Sequence, residues 1–237
     1  MIDTKLILVE GSIGSGKTTT SENLTRKINE SGAKAIWYHE NAPDNPLNTY
    51  MSRLLQENYE RQFDLVSAIT KFHSHDSSVD TIPLWGTLAK QCRLREEITV
   101  IESRFWQHET MYWFLLEFDP TSIVKRQQEI AEIISATKPF LVYLGNDDVA
   151  TVIKNAFLTR PVEWQQWVLW LFGEFPYFKT HNLTGIDGFI EFYKAWNLVA
   201  DDLFKLYPYS KVELRNPHDD WSAATEKLNL ALELVVA

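Results

Sequence analysis

Short uninterrupted apolar runs alternate along the chain with longer stretches whose apolar positions recur every three or four residues. The first run, KLILVE at residues 5–10, is apolar from Leu6 to Val9 and predicts a strand buried on both faces. Residues 18–31 then show helical spacing and stop near Gly32. Further strands are predicted at 33–39, 98–102 (ITVIE), 140–144 (FLVYL) and 211–214 (KVEL). Helices are predicted at 46–72, 83–96, 105–118, 121–136, 147–157, 162–172, 188–207 and 221–235, with a polar loop at 74–81. Five short strands separated by helices imply an α/β fold, a three-layer, doubly wound, five-stranded parallel sheet with helices on both faces. No internal repeat, low-complexity tract or Gly/Ser linker divides the chain, so residues 1–237 read as one domain.

Composition narrows the function classes. A chain of 237 residues that is 45% hydrophobic and 23% charged builds an ordinary globular core. The net charge of −9 argues against coating duplex nucleic acid, which needs basic surface, but leaves room for a nucleotide held by a few local cations. The single cysteine, Cys92, excludes a disulfide framework or a Cys-rich metal site and reads as a packing residue. The run 6–9 is too short for a signal-peptide core, and no apolar stretch approaches the roughly 20 residues of a membrane span, so no membrane partner and a cytoplasmic location are expected. Nine tryptophans are an excess, with clusters at Phe105-Trp106, Tyr112-Trp113-Phe114 and Trp164, Trp167 and Trp170. Singly these fill core; as a group they can wall a pocket for a flat ring. Trp85, Phe105 and Trp106 are candidates for such a sandwich, with core packing as the simpler reading.

Residues 11–18, GSIGSGKT, match G-x-x-x-x-G-K-[ST] in full, after a predicted strand and before a predicted helix. Glycines let such a turn curl its N–H groups onto phosphate oxygens, and the helix start adds its dipole. Gly11, Ser12, Gly14, Ser15, Gly16, Lys17, Thr18 and Thr19 are therefore the candidate nucleotide-binding residues. Lys17 is placed to reach the β- and γ-phosphates and the Thr18 hydroxyl to hold Mg²⁺, which makes ATP and Mg²⁺ the expected cofactors. The guanine-reading N-K-x-D of GTPase switches does not occur, and Asp147 and Asp148 after the fourth strand read as helix caps.

The stretch 9–19, VEGSIGSGKTT, resembles the opening of thymidylate kinases and deoxynucleoside kinases, and in particular bacterial P-loop proteins described only as thymidylate-kinase-like. His39-Glu40 with Pro43 resembles the Glu-Pro after the second strand of those kinases, and Glu102-Ser103-Arg104 resembles their Glu-Arg-Ser, with the arginine one residue later. The resemblance implies a nucleoside- or nucleotide-kinase-like P-loop domain with an acceptor-pocket region at about 44–96. It implies a lid-like segment at about 154–185 bearing Arg160, and a loop at 216–220 near the donor's adenine. It also implies transfer of the γ-phosphoryl group of ATP to a nucleoside or nucleotide. Homodimerisation through a long helix such as 105–118 is an expectation of the same kind.

Ligands of such sheets bind beyond the carboxyl ends of the strands. Lys17, Glu40, Glu102 and Arg104 are accordingly candidate catalytic residues, and the resemblance adds Arg160 as a lid arginine closing over the transferring group. Glu40 is the candidate base for an acceptor hydroxyl, against a capping or solvated role. Glu102 either binds Mg²⁺ through water, with Thr18, or orients Arg104. Arg104 is placed to grip phosphate. Arg53 and Arg61 read as exposed helix residues or contacts for an anionic acceptor. The six histidines show no metal-ligand spacing, His39 and His108 being near-site polar groups. A nucleotide-gated ATPase or regulatory protein without an acceptor is the alternative, as is a kinase-derived fold that only binds its ligand.

Overall fold

Strand β1 (Leu6–Gly11) is the centre of the molecule: Leu6, Ile7, Leu8 and Val9 have no exposed surface. The computed structural model describes residues 3–48 and 81–236. It is an α/β fold with five parallel strands in the order β2-β3-β1-β4-β5, where β2 is Ala35–Tyr38, β3 Ile98–Glu102, β4 Phe140–Gly145 and β5 Lys211–Arg215. In register, Val9 stands beside Glu102 of β3 and Val142 of β4.

Side chains alternate across the sheet, so each strand feeds two cores. Ile7, Val9, Val100, Val142 and Val212 pack under α1 (Lys17–Glu30) and α9 (Trp221–Val236), through Leu24, Ile28, Leu228 and Leu232. Leu6, Leu8, Ile101, Leu141 and Tyr143 face the thicker layer. That layer holds α2 (Ile82–Leu94), α3 (Met111–Leu115), α4 (Pro120–Ile134), α5 (Val149–Thr159), α6 (Val162–Gly173), α7 (Pro176–Thr180) and α8 (Gly185–Leu206). Cys92 is buried in this core, as a packing residue would be. Trp85, Phe105 and Trp106 are core as well, each no more than 1% exposed. Asp148 caps α5 by accepting from Thr151 N at 3.0 Å.

Three expectations need correction. The helix expected over 105–118 is interrupted: a single wide turn, Trp106–Thr110, precedes the short α3. The cause is tertiary. Ser103 takes a left-handed conformation after β3, the Glu10 carboxylate of β1 accepts from Phe105 N at 2.7 Å, and Glu117, also left-handed, ends the segment. The helical stretch expected from 46 begins instead as successive turns through 48, tied by the Asn45 amide to His39 O and the Asn48 amide to Ala42 O. Helix α7, opened by Pro176, falls where none was expected. Arg53, Arg61, His73, His75 and the 74–80 part of the polar loop lie outside the described residues. No described helix is long and apolar enough to cross a membrane.

Candidate functional site

The glycine-rich turn lies between the end of β1 and the start of α1. Gly14 (φ 77°) and Gly16 (φ 95°) occupy the left-handed region, and neither has room for a side chain. A Cβ on Gly14 would stand 2.8 Å from Ala156 Cβ, and one on Gly16 2.3 Å from the Trp221 ring. Gly16→Ala should therefore cost about 1–3 kcal/mol of stability. Thermal denaturation checks this; superimposable melting curves would contradict it. Ser15 is buried, Ser12 Oγ lies 3.4 Å from Asn146 Nδ2, and Thr19 is exposed on the first turn of α1.

Lys17 folds back over the turn, donating to Gly11 O at 3.0 Å and Ser12 O at 2.9 Å. Thr18 Oγ1 donates to Glu102 Oε1 at 3.0 Å, and His39 Nε2 approaches the same oxygen at 3.3 Å. Glu102 Oε2 is buried without a hydrogen-bond partner among the described residues. Burial and the charge of Glu40 raise the Glu102 pKa, against the opposing pull of His39 and Lys17. A cation at this point would relieve both the orphaned oxygen and the mutual repulsion of the two carboxylates. Among the described residues no cluster of three or more His, Cys, Asp or Glu side chains has metal-holding geometry.

Glu40 stands across the cleft. Its Oε2 accepts from Gln107 Nε2 at 3.1 Å and lies 3.7 Å from His108 Nε2. Burial disfavours its charge, but His108 and Lys17 outweigh that and hold its carboxyl well below the usual range. Burial and the neighbouring Arg104 lower His108. Arg104 reaches the turn that follows β2. Its Nη2 hydrogen-bonds the Glu40 carbonyl oxygen and, at 2.6 Å, Asn48 Oδ1, so it braces the 39–48 turn that presents Glu40.

Glu10 was absent from the sequence-based candidates. It is 1% exposed, and its carboxylate also approaches Gln107 N at 3.4 Å, fixing the wide turn that carries Gln107 and His108. Burial pushes Glu10 up to about 7, against the lowering by Lys17 and the N–H groups of 105–107. A carboxyl whose folded value exceeds its ordinary 4.5 gives stability that is fully present below pH 4.5 and lost as pH rises through about 7. Glu10→Gln should abolish that loss, about 3 kcal/mol, so urea unfolding of the two proteins should diverge between those pH values. Parallel stability profiles would contradict the assignment.

Beside the turn opens a cavity of about 440 Å³ that reaches Ile13. Its polar end is Glu40, Asn41, Gln107 and His108. Its walls include Tyr112, Trp164, Trp167, Phe172 and Tyr193, from the segment after β3, α6 and α8. The ring-walling aromatics are thus a different set from Trp85, Phe105 and Trp106. Arg160 caps the end of α5, exposed, with its guanidinium 5.5 Å from the Trp164 ring centroid. The structure joins it to the cavity wall through Trp164.

The loop after β5 closes the other side. His218 Nε2 lies 2.9 Å from Gly14 O, which only accepts, so this nitrogen donates. Asp220 caps α9 by accepting from Ala223 N at 2.9 Å. A second cavity of about 300 Å³ runs between this loop and α5, lined by Gly14, Asn146, Thr151, Asn155, Asn216 and His218 among others.

The arrangement sets a glycine-rich turn with a lysine, a hydroxyl–carboxylate pair that could hold a cation, and a glutamate of lowered pKa at the polar end of a ring-sized cavity. Of the sequence-based candidates it gathers Lys17, Thr18, Glu40 and Glu102 at one cleft, holds Arg104 behind it and leaves Arg160 on its outer wall. Gln107 and Tyr193 carried no signal in the sequence. The chain matches no protein-family profile, and no curated protein is significantly similar to it.

Proposed function

We propose that this protein is an ATP-dependent phosphotransferase of the P-loop, thymidylate- or deoxynucleoside-kinase-like kind. It moves the γ-phosphoryl group of Mg·ATP to a small ring-bearing acceptor of nucleoside or nucleotide type. The observation that carries the reading is the meeting of two features at one cleft: the GSIGSGKT turn and the aromatic cavity share Ile13, with Glu40 between them. A strand order that puts β1 at the centre brings the ends of β1, β2 and β3 to that edge.

In this reading the turn and Lys17 hold the triphosphate, and Lys17 leaves the Gly11 and Ser12 carbonyls to lie along the outer phosphates. Thr18 and Glu102 would hold Mg²⁺, which supplies charge neutralisation on the phosphates. Glu40 accepts the acceptor's hydroxyl proton while the new O–Pγ bond forms and the bond from Pγ to the bridging oxygen breaks, releasing ADP. The aromatic walls orient the ring and exclude water, which directs the phosphoryl group to the acceptor. Most of the acceleration in such transfers comes from positioning and charge.

The test is mass spectrometry of reactions containing Mg·ATP with pooled nucleosides and nucleotides. The expected result is ADP formed in step with a phosphorylated acceptor. ATP consumed equally fast without an acceptor, giving only inorganic phosphate, would overturn the proposal in favour of a nucleotide-gated ATPase.

A further inference from the structure

The polar atoms lining the cavity carry information about what it holds. Gln107 uses its amide nitrogen on Glu40, leaving Oε1 buried and without a hydrogen-bond partner among the described residues. The Tyr193 hydroxyl is in the same state, on a side chain 1% exposed that lines the same cavity. Buried polar atoms are normally paired, so an acceptor and a hydroxyl left over in a ring-sized cavity, beside the two ring nitrogens of His108 in the same state, point to a ligand with a polar edge. Aromatic walls point to a flat one.

Charge narrows the class further. Glu40 is the one acidic or basic side chain among the described lining residues, apart from His108. His108 stands 3.7 Å from Glu40 Oε2, with its pKa lowered by burial and Arg104 against the opposing pull of Glu40. A phosphate monoester brought up to this end would meet an ionised carboxylate in a partly dry site, where like charges repel strongly. A hydroxyl there meets a proton acceptor.

We infer that the cavity takes an uncharged, ring-bearing alcohol rather than a phosphate monoester, with Gln107 Oε1 and the Tyr193 hydroxyl reading the polar edge of its ring. This rests on the phosphotransferase reading above. The reaction balances as alcohol plus ATP giving phosphate ester, ADP and the proton taken by Glu40. Gln107 selects by accepting from a ring N–H or amino group, and Tyr193 by donating to or accepting from the same edge. A site built around such bonds rejects analogues that leave its buried groups unpaired.

The experiment compares thymidine, deoxycytidine, adenosine and a hydroxymethylpyrimidine, each beside its own phosphate monoester, as acceptors with Mg·ATP. Mg·ATP binding is measured separately by calorimetry. The expected result is a preference of about 100-fold or more in kcat/KM for at least one neutral alcohol over its ester. Gln107→Leu and Tyr193→Phe should each raise the KM for that alcohol about 10-fold while the KM for ATP holds, a split that general loss of structure would not give. Faster turnover of the monoesters would overturn the inference. So would normal Mg·ATP binding with no product from any neutral alcohol, an outcome that leaves the phosphate site standing. Absence of Mg·ATP binding would overturn the phosphotransferase reading and this inference together.

Discussion

Lys17→Ala should lower kcat/KM for phosphoryl transfer by about 10³-fold, the scale expected when a single cation facing developing phosphate charge is removed. The lysine is the first residue of α1 and 8% exposed, tied to two backbone carbonyls of the turn. Those two hydrogen bonds contribute little to the fold as a whole, about 1 kcal/mol each. Circular dichroism should therefore be unchanged while activity collapses. Lys17→Arg should not restore it, because the planar guanidinium is bulkier than the point-like ammonium and fits the turn poorly. Turnover within a factor of a few of wild type would remove the turn from the mechanism.

Glu40→Gln is the second large effect. The substitution keeps the volume and the hydrogen-bonding reach of the side chain but takes away its capacity to accept a proton. A general base contributes typically 10²–10⁴-fold, so kcat should fall by about that factor. The Kd for Mg·ATP should stay within about twofold, since Glu40 lies on the acceptor side and contacts Gln107 and His108 rather than the turn. Equal losses in kcat and in ATP affinity would instead assign Glu40 to the phosphate or cation site beside Glu102.

The parts of this account visible in the sequence are those written in local pattern. LILV in β1 has no polar interruption, and its burial on both faces follows directly. GSIGSGKT carries its own geometry, because the positive φ angles at Gly14 and Gly16 are demanded within eight residues. The all-parallel five-stranded sheet follows from the alternation of short apolar runs with helical spacing. What failed was decided at long range. The periodicity of 105–118 is helical, yet Glu10, nearly a hundred residues earlier, captures the Phe105 N–H and the chain widens into a single open turn. Arg104, one residue after the left-handed Ser103, reaches the 39–48 turn through Nη2, a contact that no local pattern announces. The cavity is assembled from segments around 40, 107–112, 164–172 and 193, and no window of sequence contains it. Gln107 and Tyr193 become interesting only once their unpaired atoms are seen in one place.

The central claim is that residues 11–18 grip the triphosphate of Mg·ATP through the turn and Lys17. Isothermal titration calorimetry of the full chain with Mg·ATP, run beside Lys17→Ala, tests it most directly. The account predicts a saturable isotherm with one site per chain in the wild type, lost or weakened at least about tenfold in the variant. A wild-type titration with no heat and no ATP-induced rise in melting temperature would contradict it, as would an isotherm that Lys17→Ala leaves unchanged.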